Sequence, residues 1–297
     1  MELHEHATAF GLTSDLEIMH RQALERRQVL RWLLAGAATL PLASCGGGSD
    51  ADAASTGTGT AATGSGGSTT VTTPATTTPA AGSCAVIPEE TAGPYPADGS
   101  NTNGGSIINV LNQSGVVRSD IRASFNGATG VAAGVPLTIK LQLVNVSASC
   151  ASLAGYAIYL WHCDRDGNYS LYSSGITAQN YLRGLQESDS SGTVSFTTIY
   201  PGCYAGRVPH VHFEVYPSLA RATTASSRIK TSQFTFPTAT SNEVYASSGY
   251  SASVRNLAQI SNATDNVFSD GTSLQIASVT GNVTDGYVVT LTVGVNG

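Results

Sequence analysis

Apolar and polar residues alternate with a period of two in six short stretches of the chain. These are 135–145, 156–160, 193–199, 208–216, 232–236 and 287–295. Such alternation is typical of β-strands, because successive side chains on a strand point to opposite faces. The connections are rich in Gly, Ser, Asn and Asp, which favour turns, and only 242–246 suggests a short helix. The pattern predicts an all-β fold, an antiparallel β-sandwich, in which 135–145 and 156–162 form a hairpin with Cys150 at its tip.

The first 82 residues do not share this pattern. Arg26 and Arg27 precede an apolar run that ends in Leu-Ala-Ser before Cys45. A twin arginine, a short apolar run and small residues before a cysteine are typical of an export signal, and the run is shorter than the roughly 20 residues of a membrane span. Its end resembles a bacterial lipobox, which makes Cys45 the expected lipidation site.

Residues 46–82 are almost entirely Gly, Ser, Thr, Ala and Pro. Such a segment cannot bury enough apolar surface to offset the entropy of ordering the chain, so it is expected to be a disordered tether. The chain is therefore divided into an export signal of the twin-arginine and lipoprotein type (1–45), a linker (46–82) and a β-sandwich domain (83–297). The expected location is periplasmic or otherwise extracytoplasmic, with the domain tethered to a membrane.

The charge of the chain bears on whether it binds nucleic acid. The chain has 14 Lys and Arg against 20 Asp and Glu, a net charge of −6. No stretch forms the basic stripe that a nucleic-acid surface requires. The sequence therefore predicts no nucleic-acid partner.

The candidate chemistry is concentrated in one predicted strand that contains His210 and His212. Residues i and i+2 of a strand share a face and lie about 6.6 Å apart, so the two imidazoles can converge on one ion. The remaining histidine after residue 45 is His162, which alternates with Trp161 and is expected to be a core or supporting histidine rather than a ligand. Glu214 extends the pair to H-x-H-x-E, but its Cα is expected about 13 Å from that of His210, too far to share an ion.

Two motifs together carry a family resemblance. L-W-H-x-D-x-x-G-N-Y-S spans residues 160–170, and P-G-x-Y-x-x-R-x-P-H-x-H-F spans residues 201–213. The pair resembles the intradiol ring-cleaving dioxygenases of the catechol and protocatechuate type, over about residues 84–236. That family has a β-sandwich core and uses non-haem Fe(III).

The resemblance implies a role for each matching residue. The iron ligands would be Tyr169, Tyr204, His210 and His212. The catalytic residues would be Arg207, Gln233 and Tyr204, the ligand that the substrate displaces. The substrate pocket would be lined by Gly93, Pro94 and Tyr95. The donor types suit the metal independently, because ferric iron is a hard acid that favours anionic oxygen and promotes ionisation of a phenol.

The implied activity is cleavage of a catechol-type ring by O2 to a muconate-type diacid. Two alternatives stay open. One is a β-sandwich binding module without catalytic activity, and the other is a zinc or copper protein that uses the H-x-H pair with thiolates. The identity of the catechol and the oligomeric state are not determined by the sequence.

Four cysteines follow Cys45, an even number that suits an exported protein. Sequence alone permits three pairings. If Tyr169 and Tyr204 bind one ion, as the resemblance implies, the neighbouring Cys163 and Cys203 lie close together. We therefore expect a Cys163–Cys203 disulfide and, by remainder, a Cys84–Cys150 disulfide.

Overall fold

The computed structural model describes residues 84–297. The predicted export signal (1–45), the predicted linker (46–82) and the predicted lipidation site Cys45 lie outside the described residues. Within 84–297, no helix has the length and apolar character needed to cross a membrane.

The described part of the chain contains eleven strands and two short α-helices. The strands are β1 (Asp98–Asn103), β2 (Ser106–Asn109), β3 (Pro136–Asn145), β4 (Ala151–Ser152), β5 (Ala157–Trp161), β6 (Arg183–Glu187), β7 (Thr193–Ile199), β8 (His210–Tyr216), β9 (Lys230–Thr235), β10 (Ser278–Asn282) and β11 (Gly286–Val295). The helices are α1 (Thr238–Tyr245) and α2 (Ser251–Leu257).

The strands form two main sheets and a small hairpin. The first sheet has the order β10-β11-β3-β4, with β7 also paired to β3, and the second has the order β6-β5-β8-β9. All pairs in both sheets are antiparallel except β11 with β3, which run parallel. The hairpin pairs β1 with β2. The predicted sandwich is therefore confirmed, with one parallel pair in an otherwise antiparallel fold.

One continuous core joins the two sheets. It takes alternate residues of β3 and β11 from the first sheet and of β5 and β8 from the second. Ile139 of β3, for example, belongs to this core together with Val211 and Phe213 of β8. This alternation is what the period-two pattern requires of a sheet with an apolar inner face.

The second sheet is covered on its outer face as well. Val116 and Phe125, from the segment between β2 and β3, pack there against Tyr159 and Trp161 of β5 and Tyr216 of β8. As a result, every residue of β8 is buried. His210, His212 and Glu214 alternate with the core residues of β8, so they lie on this covered outer face.

The predicted hairpin between 135–145 and 156–162 is wrong. β3 pairs with β4, β7 and β11, whereas β5 pairs with β6 and β8 in the other sheet. The chain crosses between sheets after β4, and Cys150 lies in the turn of a different, short hairpin that joins β3 to β4. Alternation identifies strands but does not specify their partners, because strands of both sheets alternate in the same way.

Candidate metal centre

The histidine pair lies at the start of β8. His210 and His212 are both buried and project from the same face of the strand. The Nδ1–H of His210 donates to the carbonyl of Val208 at 2.7 Å. This hydrogen bond sets the tautomer, so the lone pair of His210 Nε2 is directed away from the backbone and is available to a ligand.

A tight turn after β5 presents Tyr169. The carboxylate of Asp164 accepts hydrogen bonds from the backbone N–H groups of Asp166 and Asn168 at 3.0 and 2.9 Å. Gly167 has φ of +87°, a left-handed conformation that favours glycine. The turn explains the D-x-x-G-N-Y spacing, since it reverses the chain and directs the buried Tyr169 ring towards β8.

Tyr204 is held by the loop that enters β8. The flanking Cys203 is fixed through its backbone, which accepts from Asn256 Nδ2 at 2.7 Å and donates to Ser253 Oγ at 2.9 Å. Both partners belong to α2, so this helix positions the loop. The Tyr204 ring is partly buried.

Four donor atoms converge. His210 Nε2 lies 3.1 Å from His212 Nε2, 3.2 Å from Tyr204 Oη and 3.3 Å from Tyr169 Oη. One Nε2 lone pair can accept only one hydrogen bond, so hydrogen bonding alone does not account for three polar neighbours at this range. Ligands bound at about 2 Å to a common ion are separated by about 3 Å, so the arrangement fits an ion between them.

The composition of this set distinguishes it from common zinc sites. Among residues 84–297, no three or more His, Cys, Asp or Glu side chains are grouped to hold a metal ion. Two phenols and two imidazoles form the donor set instead. Phenolate oxygens are hard anionic donors, so the set fits a hard, highly charged cation better than a soft one.

Burial sets the protonation of these groups in the absence of an ion. Desolvation, followed by the charge of Arg207, lowers the pKa values of His210 and His212 well below the ordinary histidine value. Both imidazoles are therefore neutral at neutral pH, as metal ligands must be. Desolvation and then Tyr204 raise the pKa of Tyr169 well above that of a free phenol, so its ionisation requires a nearby cation.

Arg207 is buried beside the four donors. Its Nη1 lies 3.4 Å from His210 Nε2, and its Nε donates to both carboxylate oxygens of Asp265 at 3.2 and 3.0 Å. Burial lowers the pKa of Arg207, but Tyr204 and Asp265 outweigh this effect and the pKa lies above the ordinary value. Arg207 therefore supplies a permanent positive charge at the site.

Gln233 connects Arg207 to the N-terminal segment of the domain. It is paired with His212 across β8 and β9. Its Oε1 accepts from Arg207 Nη2 at 2.7 Å, and its Nε2 donates to the carbonyl of Thr91 at 2.8 Å. Both ends of the amide are thus hydrogen-bonded to protein groups, so Gln233 holds Arg207 and the segment around Thr91 together.

The predicted pocket residues do line a cavity at the donor cluster. Its walls are Thr91, Ala92, Gly93, Pro94, Tyr95, Tyr169, Tyr204, Arg207 and His212. Gly93 has φ of +67°, and a Cβ there would lie 3.4 Å from His212 Cε1. The Tyr95 ring lies 4.9 Å from that of Tyr169, centroid to centroid. Gly93, Pro94 and Tyr95 therefore lie beside the donor cluster.

The chain is similar to known proteins in both sequence and fold. Residues 117–225 match a protein-family model described as Dioxygenase. The fold resembles that of an intradiol ring-cleavage dioxygenase from Tetranychus urticae, with a TM-score of 0.53 and 22% identity over 72% of this chain and 95% of that chain. Dioxygenase Tetur07g02040 gives a TM-score of 0.52 with the same identity and coverage.

The described domain has the fold of the intradiol ring-cleaving dioxygenases. The two motifs lie within residues 117–225, so the match to the dioxygenase family model agrees with the resemblance that they carry.

The cysteine pairing is only half as predicted. Cys84 and Cys150 form a disulfide with a Cα–Cα distance of 5.9 Å. The predicted Cys163–Cys203 disulfide is wrong, because both are buried free thiols. Their thiols donate to different carbonyls, Cys163 Sγ to that of Gly202 at 3.5 Å and Cys203 Sγ to that of Arg207 at 3.3 Å. Burial raises the pKa of Cys203 to about 12 and that of Cys163 well above the ordinary value, so both stay protonated.

His162 is a supporting residue, as expected. Its Nδ1 lies 2.7 Å from the carbonyl of Cys163 and its Nε2 lies 2.7 Å from Thr198 Oγ1, so both ring nitrogens have partners outside the donor cluster. The site also contains two residues that the sequence did not single out, Asp265 and Trp161. Trp161 belongs to the L-W-H motif, whereas no motif marks Asp265.

Proposed function

We propose that this domain is a non-haem Fe(III) enzyme that cleaves a catechol-type ring with O2 between its two hydroxyl-bearing carbons, giving a muconate-type diacid. The observation that carries the proposal is the convergence of Tyr169, Tyr204 and His212 on His210 Nε2 at 3.1–3.3 Å. Those four side chains would hold the ion. When bound, Fe(III) supplies the Lewis acidity and redox capacity that a ring-opening reaction with O2 requires.

The two tyrosines have different expected roles. Tyr169 is buried and stays in place, whereas the partly exposed Tyr204 lies at the end of a short loop with the exposed residues Ala205 and Gly206. Tyr204 is therefore the ligand expected to swing away when a catechol enters. Its Oη is the atom that takes a proton from the incoming substrate.

Arg207 and the aromatic wall act on the substrate. The Nη1 of Arg207 faces the donor cluster, where it stabilises negative charge on the substrate oxygens and ring. Gly93 leaves space next to His212 because it has no side chain. Tyr95 offers an aromatic surface that excludes water from the ring of the substrate.

Metal analysis with a visible spectrum, followed by O2 uptake with catechol, tests the proposal against its alternatives. An iron protein with a tyrosinate-to-iron charge-transfer band that consumes O2 with catechol supports it. A colourless zinc protein would indicate the zinc alternative. A coloured iron protein that consumes no O2 with any catechol tested would indicate a binding module.

We also propose, from the sequence of residues 1–82, that the domain is exported and tethered to a membrane through a lipid on Cys45. A single acyl chain anchors only marginally, so the mature protein should carry more than one. Fractionation of cells that express the wild type or Cys45→Ala tests this, because only the wild type should sediment with membranes. Equal solubility of the two proteins would contradict it.

A further inference from the structure

Arg207 has few ways to orient its guanidinium. The residue is only 2% exposed, and its planar fork has fixed donor directions. Nε is occupied by Asp265 and Nη2 by Gln233. With those two directions fixed, Nη1 is left to face His210 Nε2 at 3.4 Å.

Asp265 is itself held rigidly by the backbone. It is fully buried, and its Oδ1 accepts from the N–H groups of Val267 and Phe268 at 2.9 and 3.3 Å. Its Oδ2 accepts from the N–H of Val208 at 2.8 Å. The carbonyl of Val208 in turn accepts from His210 Nδ1. The carboxylate therefore has a fixed position, and it binds the same residue whose carbonyl sets the His210 tautomer.

The opposite charges of Arg207 and Asp265 are paired in a buried position. A buried guanidinium without a carboxylate partner carries a large desolvation penalty, and a buried carboxylate needs donors in the same way. The salt bridge of 3.0 Å meets both needs. The ring of Phe268 adds a cation–π contact, with its centroid 5.9 Å from Arg207 Cζ.

We propose that Asp265 is a positioning residue, whose carboxylate holds Arg207 so that Nη1 faces the donor cluster. Asp265 lies beyond residues 117–225, the part that matches the dioxygenase family model, so this function would come from the segment between α2 and β10. The positioning role in turnover rests on the proposed ring-cleaving function. The Arg207–Asp265 contact itself can be tested without turnover.

Hydrogen exchange at the Arg207 side chain provides that test. In protein with ¹⁵N-labelled arginine, the Nε–H signal of Arg207 is identified by its absence from the spectrum of Arg207→Lys. The proton of this signal should exchange with solvent at least ~100-fold more slowly than the Nε–H of the exposed Arg255. Asp265→Asn keeps an oxygen for the N–H of Val208 but removes the charge, and it should accelerate exchange at Arg207 at least ~10-fold. Asp270→Asn is the matched control in an exposed position of the same segment and should change nothing. Unchanged protection of Arg207 in Asp265→Asn would overturn the proposal.

A double-mutant cycle then tests the role in turnover. Arg207→Ala should lower kcat on the order of 10²–10³-fold, and Asp265→Asn on the order of 10²-fold, because small misplacements are costly in a preorganised site. If Asp265 acts through Arg207, the double variant should be no slower than Arg207→Ala alone. Independent, multiplicative losses would overturn the positioning role. If the wild type has no activity with any catechol, the proposed function fails, while the exchange measurement still decides whether Asp265 positions Arg207.

Discussion

Trp161 stacks face to face on His212, with ring centroids 5.0 Å apart and planes 6° from parallel. The two residues are directly opposite each other in β5 and β8, so strand pairing and stacking fix the same geometry. The Tyr159 ring also stacks on Trp161. The imidazole of His212 is therefore held in one ring plane by its neighbours.

Removing this support should weaken metal retention without removing a ligand. We expect Trp161→Leu to lower iron affinity by about 10–100-fold, the usual effect of losing a group that orients a metal ligand. Trp161→Phe keeps an aromatic face and should have a smaller effect. Metal affinity by chelator competition, with thermal unfolding as a check on folding, distinguishes the two. Equal affinities in Trp161→Leu and the wild type would show that strand pairing alone orients His212.

Arg207 and Tyr169 should differ in what their loss removes. Arg207→Ala is expected to keep iron and its colour while kcat/KM falls on the order of 10²–10³-fold, because the residue stabilises charge and is not a ligand. Tyr169→Phe removes an anionic donor, so the charge-transfer band should shift or disappear and iron should be retained less well. Iron content, the visible spectrum and O2 uptake check both variants. Equal loss of iron from both would mean that Arg207 has a structural role.

The sequence predicts six of the eleven described strands and the shared face of His210 and His212, because both depend on local spacing. The alternation at 193–199 marks β7, and the H-x-H spacing places both imidazoles on one face of β8. The same pattern misses strands that lack alternation. β6 is one of them, because Arg183 and Gly184 interrupt the apolar pattern although both are buried.

The contacts that the sequence did not predict depend on tertiary structure. Asp265 reaches Arg207 across 58 positions of the chain, and no spacing rule links them. The Cys163–Cys203 prediction fails for a related reason. The two chain segments do approach each other, since Cys163 Sγ reaches the carbonyl of Gly202, but a disulfide also requires the two sulfur atoms to face each other.

His162 should make the domain less stable in mild acid. Burial is the main cause that lowers its pKa from 6.5 to about 4, so the folded state binds this proton less readily than the unfolded chain. Stability is therefore fully present above about pH 6.5 and is lost as the pH falls towards 4, by about 3 kcal/mol from this group. Denaturant unfolding of metal-free wild type and His162→Gln between pH 7 and pH 4 measures the difference. A parallel pH dependence in the two proteins would contradict this assignment.

The four cysteines of the described domain should form one reactive pair and one unreactive pair after denaturation. Labelling without reductant should modify Cys163 and Cys203 and leave Cys84 and Cys150 unmodified. The disulfide closes a sequence separation of 66, so its loss in a Cys84→Ser, Cys150→Ser variant should reduce the free energy of unfolding by up to about 4 kcal/mol on the chain-entropy estimate. Peptide mapping and denaturant unfolding check the two parts. Labelling of all four residues, or of none, would contradict the pairing.

The most direct test of the central claim is the fate of the two oxygen atoms of O2. The iron-loaded domain is incubated with catechol under ¹⁸O2, and the product is identified by mass spectrometry. The control is the double variant that carries both Tyr169→Phe and His212→Ala. The expected product is a muconate-type diacid with one ¹⁸O atom in each new carboxyl group, and the control should give no product. An aldehyde-containing product from cleavage beside the hydroxyl-bearing carbons, or equal activity of the control, would contradict it.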